Sequence, residues 1–462
     1  MIDHQMNMRV SDEFGMYHAR LPLTQSATIV YGNALRMDWG DVVPKGELSY
    51  ILGNPPFVGA RLMNTAQKED MNLIFDKLKG MGNLDYVTAW YKKAADIMKN
   101  ANIKSAFVST NSIAQGEQPT ILWKPLMEHG LHINFGVQTF KWSNEAKGKA
   151  AVYCVIIGFS YHKTEPIISP YLIEVPSIVF IENQTKPISD APPINYGSFA
   201  LDDGNYTISA TEYEEILDKE PTVKQFLRPF IGARELLHNE KRYCVWLFNT
   251  SPSEINKSPI IKRKIENVRN WRASSSRKNT ILLADTPTLF AEIRQPNEMY
   301  LAIPTVSSEK RRYIPIAYLT PEVVASNQIY IVPGATLYHF GVLTSNVHNA
   351  WMRAVCGRLK SDYRYSSKTV YNTFPWPNVT DEQKTQIEKL AQTILDIRAV
   401  YADSSLADLY DPLTMPPDLL KAHRNLDAAV MKLYGFPVNK DFTEAHCVAA
   451  LMEMYQKMTE DK

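Results

Sequence analysis

The feature that most constrains this chain is an alternation in its first 165 residues. Short apolar runs are separated there by stretches with helical spacing. The runs are ATIVYG (27–32), LSYILG (48–53), KSAFVST (104–110), HINFGVQTF (132–140) and AAVYCVIIGF (150–159). Continuous β-branched runs bounded by turn residues read as strands buried on both faces. Between the second and third lies DYVTAWYKKAADIMKN (85–100), with apolar residues one helical turn apart. Strands alternating with helices predict an α/β fold built on a mostly parallel, doubly wound, Rossmann-like sheet.

The rest of the chain reads differently. A proline-rich link over 169–194 precedes a region, 195–377, of short strands, basic loops and many aromatics that ends at TFPWP (373–377). Two amphipathic stretches follow, EQKTQIEKLAQTILDIRAVYA (382–402) and PPDLLKAHRNLDAAVMKLYG (416–435); the second opens on prolines and ends on Gly435. The expected organisation is an α/β domain over 1–165, a mixed α/β domain over 166–378 and a helical domain over 379–462, which suits 462 residues.

The net charge of +1 hides a segregation. Residues 221–380 hold 22 Lys and Arg against 10 Asp and Glu, and residues 381–462 hold 9 against 14. Such a basic block is the footprint expected where phosphates are neutralised, and equally describes a solvated basic face. The four cysteines are far apart and none has metal-ligand spacing with a histidine, so neither a disulfide scaffold nor a metal site is expected. No run of eighteen apolar residues occurs and the opening MIDHQMNMRV does not read as a signal peptide. The expectation is therefore a cytoplasmic protein without a membrane partner.

The string that carries chemistry is ILGNPPF (51–57). It sets Asn-Pro-Pro-Phe just past the carboxyl end of a strand, where open α/β sheets bind ligands. Two prolines lack amide donors and stiffen the chain, leaving carbonyl acceptors free. The Asn54 side-chain carbonyl and the Pro55 backbone carbonyl can accept both hydrogens of an exocyclic amine. That withdraws the nitrogen lone pair from the ring and sharpens it as a nucleophile. Phe57 offers a face for the flat ring, as a flipped-out base requires. A proline turn closing a strand is the plainer reading.

The motif is similar to the catalytic NPPY/NPPF of amino-group DNA methyltransferases. More closely, the chain resembles the C-terminal half of MmeI-type (Type IIL) restriction–modification proteins. The resemblance is carried by GNALRMDW (32–39), ILGNPPFVGA (51–60), LDYVTAWYKKAA (84–95), FVSTNSIAQGEQ (107–118) and FKWSNEAKGKAAVYCVIIGF (140–159). It continues through SSEKRRYIPIAYL (307–319), AVCGRLKSDYRYSSKTVYNTFPWP (354–377) and LADLYDPLTMPPDLLKAH (406–423). It implies S-adenosyl-L-methionine as methyl donor, double-stranded DNA as partner and adenine as the methylated base. In that family a glycine-rich cofactor loop and an acidic residue for the ribose precede the catalytic motif. Here the glycines before Asn54 (Gly15, Gly32, Gly40, Gly46 and Gly53) are isolated. The expectation is a truncated fragment that needs an N-terminal half or a separate chain to supply that loop.

Carried over residue by residue, the resemblance assigns Asn54, Pro55, Pro56 and Phe57 to binding the target amine. It assigns Phe140, in preference to Trp142, to a second aromatic contact with the base, core packing being an open alternative. Asn33 matches the position that meets the cofactor adenine, a turn-capping role being the alternative. Asp85 and Tyr86 match a helix start, where an N-cap Asp is an equal reading. In the middle region Arg311 and Arg312, in a strand-like run, and Arg358, Lys360 and Arg364, in a basic and aromatic loop, are the candidate DNA contacts. Three functions are open: an adenine-N6 DNA methyltransferase fragment, a catalytically inactive target-recognition module, and a protein-glutamine methyltransferase, against which the long basic region argues.

Overall fold

The computed structural model describes residue 13 and residues 27–76, 78–142, 152–163, 172–173, 179–359 and 361–460. Its first part follows the predicted alternation: β1 (Tyr50–Gly53), α1 (Thr65–Phe75), α2 (Thr88–Met98), β2 (Lys104–Thr110), α3 (Gln118–Glu128), β3 (His132–Trp142), β4 (Val152–Ser160) and β5 (Leu172–Ile173). The sheet order is β1-β2-β4-β3-β5. β1 and β2 pair in parallel, whereas β4 is antiparallel to both β2 and β3, and β5 is antiparallel to β3. β1, β2 and β3 thus share one direction and β4 is threaded in reverse between two of them. The mostly parallel sheet expected from sequence is mixed because β4 follows β3 after a connection too short for a parallel crossover, which takes roughly a dozen residues or more.

Two further expectations are corrected. ATIVYG lies outside any strand, with Ile29 89% and Tyr31 103% exposed, because an apolar run becomes a strand only beside a partner that takes its amides. β1 is a strand, but Tyr50 and Leu52 are 64% and 73% exposed and only Ile51 is buried. Among the described residues β1 pairs on one side only, so it is an edge rather than a strand covered on both faces. Behind it, Tyr91, Phe107, Trp123 and Phe159 pack ring against ring at 5.1–6.1 Å, and the Tyr91 hydroxyl donates to the Phe107 carbonyl. Gly53 leaves room for this cluster: a Cβ there would stand 3.2 Å from the Phe107 ring.

A second core gathers residues of 200–290 with Val324. Its sheet orders the strands Val324–Ala325, Leu227–Ile231, Arg242–Val245 and Thr207–Ser209, and its helices include α4 (Ala210–Lys219) and α5 (Pro259–Ala273). Arg272, on α5, is fully buried. Its guanidinium donates to the carbonyls of Leu201, Leu283, Thr286, Ala200 and Leu289 at 2.8–3.1 Å, so all five of its N–H donors are used.

The largest core joins the strands Tyr300–Pro304 and Ile329–Pro333 to the helices Leu337–Thr344, Asn346–Val355, Asp381–Val400, Pro417–Leu433 and Glu444–Glu460. The last three of these helices confirm the helical reading of the chain's end, and each buries one apolar stripe. The Tyr313 hydroxyl donates to Asp427 at 2.7 Å, Arg353 forms a two-pronged pair with Glu444, and Arg398 donates to the Ile316 carbonyl. The proline-rich link, where described, is laced onto this core: Gln184 and Ile188 donate to the carbonyls of Lys368 and Asn372, and Tyr371 donates to that of Pro192.

Candidate functional site

Because β1, β2 and β3 run the same way, their carboxyl ends meet at one edge. Asn54–Phe57 leaves that edge directly after Gly53. The ladder sets Thr110, Cys154 and Phe140 side by side at the same level, so Phe140 shares the edge with the motif. It stands three strand spacings across from β1, about 14 Å. Asn54 is exposed and its side chain makes no hydrogen bond among the described residues. Pro55 is buried and Pro56 exposed, while Phe57 is half-buried against the core. The motif therefore presents a free amide beside a partly exposed aromatic ring, on a rigid support.

The support is built from Asp85. Its carboxylate accepts from the Ala60 amide at 2.9 Å and from the Thr110 hydroxyl at 3.4 Å, tying the loop after the motif to the end of β2. The Tyr86 amide donates to the Val58 carbonyl, and Gln118 accepts from the Asp85 amide. Asp85 is thus a clamp on the loop rather than the N-cap of α2, whose cap position is Val87.

On the other side of Tyr86 lies a cluster that sequence spacing could not show. Asp70, 2% exposed, accepts from the Tyr86 hydroxyl at 2.6 Å, from Arg36 Nε at 2.6 Å and from Asn33 Nδ2 at 3.0 Å. Burial pushes the Asp70 carboxyl up, but these hydrogen bonds outweigh it and hold the group below the ordinary value. Burial and the bond to Asp70 raise the Tyr86 phenol well above its usual range. Asn33 also accepts the Leu35 amide on its Oδ1, so the turn-capping geometry is present and one lone pair of that oxygen stays available. Lys93 fixes the turn from below, donating to the carbonyls of Ala34, Leu35 and Met37; burial lowers its pKa.

The candidate DNA contacts gather beside the same edge. Arg311 and Arg312 sit in the loop between the strands Val306–Ser307 and Ala317–Leu319, not in a strand. Arg358 and Arg364 lie on the strands Gly357–Leu359 and Asp362–Arg364, which pair as a hairpin with Val306–Ser307 alongside; Lys360 lies outside the described residues. Tyr153, next to Cys154, connects the two regions: a hydrogen bond with Glu309 raises its phenol pKa. Gly116, at φ +71, packs on the hairpin, and a Cβ there would stand 3.4 Å from the Gly357 Cα.

These arginines are not equivalent. Arg358 lies 3.9 Å over the Tyr363 ring and donates to the Ser361 carbonyl, so it also braces the hairpin. Arg312 and Arg364 are exposed, and the Arg312 carbonyl is held by Arg353. Arg311 is half-buried, and burial lowers its pKa against the attraction of Asp362 and Asp411. A partly desolvated guanidinium without a carboxylate bonded to it is suited to an incoming acceptor.

Comparison with known proteins finds relatives over the whole chain. Residues 1–169 match the family model for the MmeI DNA-methyltransferase domain, 176–378 that for the MmeI target recognition domain and 379–461 that for the MmeI C-terminal domain. DNA methyltransferase A of Bacillus subtilis (strain 168) is 38% identical over 476 residues, spanning 99% of this chain and 54% of that protein. The solved structure of the Type IIL restriction-modification enzyme MmeI in complex with DNA superposes with a TM-score of 0.83 at 46% identity, over 99% of this chain and 63% of that one. This chain thus spans about half the length of the curated relative it matches.

Proposed function

This chain belongs to the MmeI-type family of restriction–modification proteins, and we propose that it supplies the base-binding part and the recognition apparatus of an adenine-N6 DNA methyltransferase. The observation that carries the reading is Asn54: an exposed amide without a hydrogen-bond partner among the described residues, on a rigid Pro-Pro support, at the sheet edge where Gly116 packs against the arginine-bearing hairpin.

In this reading an adenine rotated out of the duplex enters at that edge. Asn54 Oδ1 and the Pro55 carbonyl accept its two amine hydrogens, and the lone pair is localised on the nitrogen. Phe57 stacks on one face of the ring and Phe140 closes the site from the far side of the sheet. Asp85 keeps the acceptors within the tolerance that group transfer demands, so positioning supplies most of the rate. When bound, S-adenosyl-L-methionine supplies the electrophilic methyl group. Asn33, with one lone pair free on a turn pinned by Lys93 and Asp70, fits the amine edge of the cofactor adenine. Arg311, Arg312, Arg358, Lys360 and Arg364 divide phosphate anchoring and base reading on double-stranded DNA.

The open side of β1 favours a second statement. Tyr50 and Leu52 leave an exposed apolar patch beside the motif, and Ile29, Val30 and Tyr31 are exposed as well. It suits a further polypeptide segment that adds strands there and brings a glycine-rich cofactor loop. On its own, the chain then reads DNA without methylating it. The first test is calorimetric titration of S-adenosyl-L-methionine into the purified chain, with and without a pool of mixed-sequence duplexes. Salt-sensitive DNA binding without cofactor heat supports the recognition role of the chain alone; micromolar cofactor binding overturns the need for a second segment. Radiolabelled methyl transfer to adenine in duplex DNA by the completed enzyme, reduced about 10²- to 10³-fold by Asn54→Ala, tests the assignment of the acceptor. Transfer to cytosine, or an unaffected variant, refutes it.

A further inference from the structure

Cations of the basic block differ in what the fold does with them. Several are already neutralised: Arg234 by Glu240, Arg242 by Glu235, Lys264 by Glu212, Arg294 by Glu292 and Arg353 by Glu444. Arg272 is sealed inside. Around α5 the situation is the opposite. Lys257, Lys262, Arg263, Arg269, Arg277 and Lys278 are all exposed and form no ion pair among the described residues. Between 256 and 279 the only acidic residue is Glu266.

The same unit carries the opposite charge on its other labelled helix. α4 exposes Glu214, Glu215 and Asp218 against a single exposed cation, Lys219, and the two helices meet where Lys264 bonds Glu212. A surface selected only for solubility intersperses the signs. Here they are sorted, helix against helix, within one small core. α5 has fifteen residues and a length of about 22 Å, and Arg277 and Lys278 follow a few residues after its end. That span covers several successive phosphates, since a duplex carries one charge per about 1.7 Å of axis.

We infer that the α5 face is a second DNA contact, separate from the hairpin at the catalytic edge, which grips the phosphate backbone without reading sequence. The inference rests on the DNA-binding reading above and adds to it a surface and a mode. Its cations are flexible point charges and unpaired forks on long, exposed side chains, which suit phosphate contact through charge.

The test replaces Lys262, Arg263, Arg269 and Lys278 together by Gln in the full chain and measures affinity for a pool of 40-base-pair mixed-sequence duplexes against salt concentration. Each phosphate contact contributes about 0.9 to the slope of log K against log salt, so the slope is expected to shrink by about 2 to 4. A control with Lys262→Arg and Lys278→Arg keeps the slope, and Glu214→Gln with Glu215→Gln does not reduce it. If the natural chain binds with a steep slope that the Gln variant retains, this inference is wrong while DNA binding stands. If the natural chain shows no salt-sensitive binding, the DNA reading itself fails and takes the inference with it. A loss confined to single-stranded RNA, with duplex binding intact, also overturns it.

Discussion

Replacement of Arg272 by Met removes the cation most thoroughly used by the fold and leaves the DNA-facing charge untouched. Five charge-assisted hydrogen bonds connect Arg272 to two separate stretches of backbone, 200–201 and 283–289. Such bonds contribute about 1.5 kcal/mol each at the lower end, or about 7 together. Met relieves the cost of burying a guanidinium, several kcal/mol by the usual accounting. The balance is a loss of about 3–5 kcal/mol, confined to the unit spanning 200–290. Because the chain contains several cores, a single melting temperature blurs this. Urea-dependent hydrogen exchange, followed on peptides from 200–206 and 283–290, isolates the local opening. Arg272→Lys keeps the charge but offers three donors from one point, so it recovers only part of the loss. Arg269→Met, an exposed neighbour on the same helix, should stay within about 0.5 kcal/mol of the natural chain. If Arg272→Met does the same, the carbonyl cage is not what holds this unit together. A reduced salt slope for DNA with unchanged protection would place Arg272 at the interface, contrary to its burial.

Asp85→Ala should lower methyl transfer in the completed enzyme by about 10²-fold in single-turnover assays, with DNA affinity within twofold, because the Ala60 amide and Thr110 lose their common acceptor. An equal loss of affinity would instead mark it as a general stabiliser. Burial raises the Asp427 carboxyl to about 6, while Tyr313 and the Asn346 amide pull it back. The folded state therefore holds this proton more tightly than the unfolded chain, whose aspartates titrate near 4. Stability drawn from the group is full below about pH 4 and is lost as pH rises through 6, up to about 3 kcal/mol. Asp427→Asn should gain on the natural chain between pH 4 and 8 in thermal melts; a difference that is flat with pH refutes the assignment.

The placement of the motif at the sheet edge was legible because it is local. A strand, its glycine, Asn-Pro-Pro and an aromatic sit within seven residues, and β2 occupies the residues that its apolar run marks. The helices around 382–402 and 416–435 were equally plain, since periodicity and proline starts are properties of one segment. Long-range partners were not legible. Nothing in the spacing joins Asn33 and Arg36 to Asp70, or Asp85 to Ala60 and Thr110. Strand character at 27–32 failed for the same reason: hydrophobicity proposes a strand, but only a neighbour completes it. Charge counting erred in kind. It weighed Arg272 and Arg263 alike, though one is an internal tie for backbone and the other faces water.

The shared core of the strands around 300–333 and the terminal helices sets the size of the unit that evolution or an engineer can move. Tyr313 is fastened to Asp427 and Arg353 to Glu444, so the Arg311–Arg312 loop and the helix carrying Arg353 are anchored on the far end of the chain. A graft cut between the hairpin and those helices would tear one hydrophobic interior in two. A change to a single exposed side chain leaves this frame intact, whereas an exchange of the region has to carry 179–196 and 300–455 together, because both build the same core.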